Sequence, residues 1–141
     1  MKFNAFNVGD DFTTPKVTLT KQAIIEFAKQ YDSQYFHTDE ALAKESPYGS
    51  LIASGFQTLS VVWAEWIKMD ILGKECLGGV GAELNWSKPV RPGDELVGEF
   101  TVHDKKESTD GKRGLIVFKI NIYNQTKEVV LKGKTKIYLA N

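Results

Sequence analysis

The sequence is short of nearly every feature that would place it at once. A single cysteine, Cys76, stands among 141 residues, which excludes an internal disulfide framework and fits a reducing, cytoplasmic setting. Lysine plus arginine number 18 and aspartate plus glutamate 18, for a formal net charge of +0 at pH 7. No net field therefore recruits nucleic acid or an anionic membrane surface, and neither is expected as a partner. No apolar run reaches the roughly 18 residues that a membrane-spanning helix needs. The opening residues, Met1 to Asn7, lack the apolar core of a secretion signal. With 2 histidines far apart and 1 thiol, no ligand spacing is readable and no metal is expected. Gly78-Gly79-Val80-Gly81 precedes a strand-like pattern, not a helix, so it reads as a turn rather than a phosphate loop, and no cofactor is expected. Repeats, low-complexity tracts and linkers are missing too. The 42% of hydrophobic residues is enough for a proper core, and residues 1–141 read as one domain.

Local patterning then divides the chain. Val8-Gly9-Asp10-Asp11-Phe12 reads as a turn and Val17-Thr18-Leu19 as a short strand. Thr20 is placed to cap a helix from about Lys21 to Tyr31, with Ile24, Ala28 and Tyr31 on one stripe. A second short helix is expected from about Asp39 to Glu45, capped by Thr38. Ser54-Gly55-Phe56-Gln57 has the form of a capping box, opening the longest helix. Its apolar face is expected to carry Phe56, Leu59, Trp63, Trp66 and Ile67 as far as about Leu72, with Gly73 as the stop.

The second half reads as strands. Val80, Ala82, Leu84 and Trp86 alternate with small or polar residues, as a half-buried strand should. Three longer strands follow, carrying Leu96, Phe100 and Val102; then Ile116, Phe118, Ile120 and Ile122; then Val129, Leu131, Thr135, Ile137 and Leu139. Short turns between them imply an antiparallel meander. Helices before a run of strands indicate an α+β fold with the helices on one sheet face.

Chemistry concentrates in Asp32-Ser33-Gln34-Tyr35-Phe36-His37 and in Ser54-Gly55. The first stretch is too aromatic for a solvated loop and too polar for a core. A carboxylate, an imidazole and the free N–H groups of a helix start are the parts needed to move protons beside a polarised carbonyl. Each residue also has an ordinary reading. Asp32 suits a helix end, His37 a structural hydrogen bond, Ser54 an N-cap, and Gly55 a packing position. His103 has no motif partner, and the basic side chains Lys88, Arg91, Lys105, Lys106, Lys112 and Arg113 read as solvated surface.

With these residues in view, the chain resembles the MaoC-like dehydratases, the hot-dog family that includes (R)-specific enoyl-CoA hydratases. Asp32-Ser33-Gln34-Tyr35-Phe36-His37-Thr38-Asp39 resembles the family's Asp-x-Asn-Pro-x-His-x-Asp signature. Ile52-Ala53-Ser54-Gly55 resembles its Ile-Ala/Val-His-Gly step, and Pro89-Val90-Arg91-Pro92-Gly93-Asp94 its Pro-Val-x-x-Gly-Asp turn. Gln34, Tyr35 and Ser54 depart from the residues the family prefers. The resemblance implies an antiparallel sheet wrapped around a long central helix, with an N-terminal helical overhang. It further implies that Asp32 and His37 share a catalytic water and that Gly55, with Ser54 beside it, receives the substrate's thioester oxygen. The implied substrate is a 2-enoyl or 3-hydroxyacyl group on CoA or acyl-carrier protein. A homodimer with pockets near its interface is expected. Two other readings stand beside this one: a hot-dog thioesterase using Glu65, the only acid well inside the long helix, and a non-catalytic acyl-CoA-binding subunit.

Overall fold

The structure, a computed structural model, describes residues Met1–Asn141. After a short 3-10 turn at Phe3–Ala5 come strands β1 (Asp11–Thr13) and β2 (Val17–Thr18), then helices α1 (Lys21–Tyr31), α2 (Tyr35–Thr38), α3 (Glu40–Lys44) and α4 (Gly55–Lys68). Strands β3 (Cys76–Trp86), β4 (Glu95–Glu107), β5 (Arg113–Tyr123) and β6 (Val129–Ala140) complete the chain. The sheet order is β1-β4-β5-β6-β3, with β2 also on β4 and every pairing antiparallel. The expected β4–β5–β6 meander is therefore present, and α1–α3 form the helical overhang ahead of α4. The sheet wraps α4 in the hot-dog manner.

The sheet's inner face is built by alternation. Leu96, Phe100 and Val102 on β4 and Ile116, Phe118, Ile120 and Ile122 on β5 are all buried. Trp66 of α4 stacks on Phe100 at 4.5 Å between ring centroids. Val62 lies so close to β4 that a Cβ on Gly98 would overlap its methyl group, so the helix can seat on the strand only because residue 98 is glycine. Phe3 and Phe6 plug the open end, with the Phe6 ring set edge-on to Phe118 at 5.8 Å.

Several expectations are corrected. Part of the Val8–Phe12 turn is strand, since β1 begins at Asp11. The second short helix is capped by Asp39, whose Oδ1 accepts the Leu42 N–H at 3.0 Å, because Thr38 is taken into the turn of α2. Helix α4 ends at Lys68, not near Leu72, with Asp70 left-handed at φ 57 just past its end; Gly73 is left-handed too, at φ 58, but it opens a 3-10 turn rather than stopping the helix. Its buried stripe is Thr58, Val62 and Trp66, while Phe56 is 57% exposed and Ile67 is exposed as well. Tyr31, the last residue of α1, is exposed, and only Ile24 and Ala28 of that stripe are buried. On β6 the buried residue is Val130 rather than Val129, since an irregularity in the β5–β6 register opposite Tyr123 turns it inward. Strand β3 is not half-buried: it is the sheet edge, most of its residues are exposed, and Val80 is 58% exposed.

These burials separate two aromatic residues of α4. Trp66→Ala should lower unfolding free energy by about 3–5 kcal/mol, and Phe56→Ala by under about 1 kcal/mol. Denaturant titration of the two variants measures the difference; equal losses would contradict the assignment of the helix face.

Candidate functional site

Helix α1 is capped by Thr20, whose hydroxyl accepts the Ala23 N–H at 3.1 Å, and it hands the chain to Asp32 in a non-helical conformation. One turn later, α2 turns the His37 ring inward until only 4% of the residue is exposed. His37 Nδ1 lies 2.7 Å from the Ile52 carbonyl oxygen. A carbonyl can only accept, so Nδ1 carries the proton and Nε2 of the neutral ring is left as an acceptor. The Ile52 N–H in turn donates to the Phe36 carbonyl at 3.0 Å, locking the segment before α4 against α2.

Asp32 faces this ring. Its Oδ2 lies 3.4 Å from His37 Nε2, too long for a good charged hydrogen bond but short enough for both atoms to hold one small molecule. The Ser54 hydroxyl donates to the same Oδ2 at 2.8 Å, and the Gln34 amide donates to Oδ1 at 3.1 Å. Partial burial pushes the Asp32 carboxyl up. The Ser54 and Gln34 hydrogen bonds and the nearby His37 outweigh it and hold the group below the usual carboxylate range.

The start of α4 closes the other side. The Gln57 and Thr58 N–H groups both bond the Ser54 carbonyl, at 3.0 and 3.1 Å, whereas those of Gly55 and Phe56 have no acceptor in the chain. Two donors at the positive end of a 14-residue helix thus face open space. The capping box foreseen here is not formed. Ser54 makes no side-chain cap, because its hydroxyl goes to a charged acceptor, and the Gln57 amide reaches 2.9 Å to the Ala23 carbonyl of α1. Gly55 is fixed by close approach, since any Cβ there would overlap the indole of Trp86.

Between these groups lies a pocket of about 440 Å³. Phe36, Tyr48, Phe56 and Trp86 rim it, and the buried Ala53, Val90, Val130 and Thr58 form its deeper wall. Asp32, His37 and Gly55 all line this one pocket. Ser54 does not: it is fully buried behind Asp32. Glu65 lies elsewhere on α4, paired with Lys68 at 3.2 Å, and His103 is exposed on β4. Lys88 reaches the pocket, yet its amine is paired with Glu128. No three His, Cys, Asp or Glu side chains converge to hold a metal. Sequence reasoning did not anticipate Thr58, Trp86 or Val130 at the site. For Thr58 a signal existed, a hydroxyl on the same helical stripe as Val62 and Trp66. For Val130 none did, because its orientation depends on the irregular register of β6.

Comparison with known proteins follows from this geometry. Residues 4–120 match the family model described as a MaoC like domain. The chain is 31% identical over 140 residues to an uncharacterized Bacillus subtilis protein, YdeM, with 99% of each covered. A MaoC-like dehydratase from Rhodospirillum rubrum superposes with a TM-score of 0.94 at 32% identity, over 100% of this chain and 97% of that one. An (R)-hydratase from A. caviae has the same fold, with a TM-score of 0.79 at 21% identity over 96% of this chain and 98% of that one.

The hydrogen bonds to Asp32 make a titration prediction. A carboxyl depressed in the folded state contributes stability that is present above its ordinary value of about 3.9 and lost as pH falls through its folded value. Ser54→Ala removes one donor while burial remains, so the Asp32 carboxyl should titrate at higher pH than in the parent. Carboxyl-carbon NMR measures this, and the variant should lose less stability on acidification. An unmoved Asp32 titration would refute the role given to the Ser54 hydroxyl.

Proposed function

The chain belongs to the MaoC-like domain family, and from that premise we propose that it adds or removes water across the double bond of an acyl thioester, 2-enoyl in one direction and 3-hydroxyacyl in the other. The carrier is CoA or acyl-carrier protein, and residues 1–141 act as one domain. The observation that carries this reading is the pairing of Asp32 Oδ2 and His37 Nε2 across 3.4 Å, in a pocket whose opposite wall is the unpaired start of α4. The R. rubrum relative, named as a dehydratase, supports the reaction type.

In the hydration direction, one water donates to Asp32 Oδ2 and His37 Nε2 and turns a lone pair toward the β-carbon. As the new C–O bond forms, the water gives up a proton, and the π electrons move to the thioester oxygen. Asp32 is held below the usual carboxylate range by its donors, so His37 Nε2 is the better proton carrier and Asp32 orients the water. The developing enolate oxygen is received by the Gly55 and Phe56 N–H groups; losing one such donor costs about 2.7–4 kcal/mol of barrier stabilisation. The α-carbon then takes the proton from His37, restoring the dyad. Ser54 enters as the residue that holds Asp32, and through it the substrate's water.

The dyad assignment is tested with purified protein by following the loss of enoyl-thioester absorbance. Asp32→Asn and His37→Ala should each slow hydration by about 10²–10⁴-fold. Wild-type rates in either variant would remove the dyad from the mechanism.

We also infer a homodimer formed through β3. The 11-residue edge strand has one unpaired ladder and exposes Leu77, Val80 and Trp86. Beside it lies an apolar cleft of about 480 Å³ between Leu59 and Trp63 of α4 and the small residues Gly79, Gly81 and Ala82. A second antiparallel β3 satisfies the ladder and covers both features, and Trp86 carries the pocket to the edge of that contact. Light scattering at micromolar concentration should read a dimer, and Val80→Lys should shift it toward monomer. A monomeric parent protein would overturn the inference.

A further inference from the structure

One polar side chain in the pocket is used by nothing described so far. Thr58 is the first residue of the buried stripe of α4, only 2% exposed, and it lines the pocket beside Ala53, Val90 and Val130. Its backbone N–H is bonded to Ser54, but its hydroxyl has no hydrogen-bond partner within the chain. A threonine hydroxyl in a helix usually turns back to the carbonyl one turn earlier. Here that carbonyl, of Ser54, already accepts from both Gln57 and Thr58. The fully sealed orphan side-chain atoms are Gln57 Oε1, Trp66 Nε1 and Thr135 Oγ1. The Thr58 hydroxyl is not one of them, so the little surface it retains faces the pocket.

The surroundings define what it can bind. Its neighbours in the deeper wall are apolar, so an alkyl chain pressed against them would strip water from the hydroxyl and return no hydrogen bond. The one ammonium that reaches the pocket, on Lys88, is already paired with Glu128, leaving no free cation for a carboxylate. A neutral oxygen is the complementary partner. Thr58 follows Gly55 by three residues along α4, an advance of about 4.5 Å. A thioester carbonyl oxygen and the first carbon past a 2,3-double bond lie a comparable length apart, so an acyl chain running along α4 from the Gly55 amide brings that carbon level with Thr58.

We infer that Thr58 is a specificity-determining residue that hydrogen-bonds a neutral oxygen substituent, a hydroxyl or carbonyl, on the γ-carbon of the acyl group. The inference rests on the acyl-thioester reading above and narrows it from any 2-enoyl group to a γ-oxygenated one. The hydroxyl both donates and accepts, so either substituent satisfies it.

Binding of unreactive saturated ligands tests this apart from catalysis. Calorimetry with butyryl-CoA and 4-hydroxybutyryl-CoA should show the parent protein favouring the hydroxylated ligand by roughly five- to tenfold. Thr58→Val, nearly the same shape without the hydroxyl, should bind the two alike, and Thr58→Ser should restore the preference. Equal affinities in the parent protein, or a preference that survives Thr58→Val, would overturn the inference. Preference without hydration of either matching 2-enoyl-CoA would sink the hydratase reading and leave Thr58 as a recognition residue. Binding of neither ligand would overturn the inference, while the hydratase reading would then be decided by hydration assays with the acyl-carrier-protein thioester.

Discussion

The hydrogen bond from Ser54 to Asp32 ties together parts that are distant in sequence. It joins the end of α1 to the start of α4 at 2.8 Å, and the Gln57 amide repeats the tie one turn on by reaching the Ala23 carbonyl. Helix α4 is held by the sheet through Val62 and Trp66, so its start is fixed relative to the core. Through Ser54, Asp32 inherits that position. His37 is fixed to the same segment by another route, from Nδ1 to the Ile52 carbonyl at 2.7 Å. Both members of the dyad are thus hung from the residues that lead into α4. A site that must hold its geometry within about half an ångström needs this kind of support behind it.

The same contacts explain what was legible in the sequence. Strand alternation on β4 and β5 needs no tertiary knowledge, and it located the core residues Phe100, Phe118 and Ile120. Thr20 and the extent of α1 follow from local capping chemistry and came through unchanged. Ser54 and Gln57 misled for a physical reason. Both offer polar groups suited to local capping, but long-range acceptors on α1 and just past its end were available, one of them a charged carboxylate that binds more strongly than an amide. Local signatures lose when tertiary partners are better. Burial on α4 went astray similarly: Phe56 sits at the pocket rim and packs on Trp86 at 5.2 Å, while the smaller Thr58 is buried in the pocket's deeper wall and Val62 packs on β4. Strand β3 could not be read because exposure depends on position in the sheet, and only the order β5-β6-β3 makes it the edge.

Polar groups buried around the site carry a cost that the rest of the fold offsets. Gln57 donates through its amide nitrogen, yet its Oε1 is sealed without a partner. A core residue of the same size would avoid that penalty but release the tether between α1 and α4. Gly55 is a similar exchange, since helix interiors and first turns prefer other residues, but any side chain would displace Trp86 from the helix start. On β5, by contrast, the inward side chains are apolar and fully buried. Such departures from local preference cluster where a fold is shaped around a ligand rather than around itself.

The placement of charge fits the proposed reaction, in which charge develops at the site. In the proposed hydration two opposite charges appear together, an enolate oxygen and an imidazolium. Each arises beside a group already prepared for it. The oxygen forms at the Gly55 and Phe56 amides, on the positive end of α4. The imidazolium forms 3.4 Å from a carboxylate that its Ser54 and Gln34 donors keep ionised. Those donors, with His37, hold Asp32 below the usual carboxylate range in spite of burial, so the carboxylate is in place as counter-charge to a proton on His37. Without the free helix start, the enolate would face the Asp32 carboxylate with no donor beside it. The proposed reaction needs both halves at once, and the dyad and the start of α4 do share one pocket.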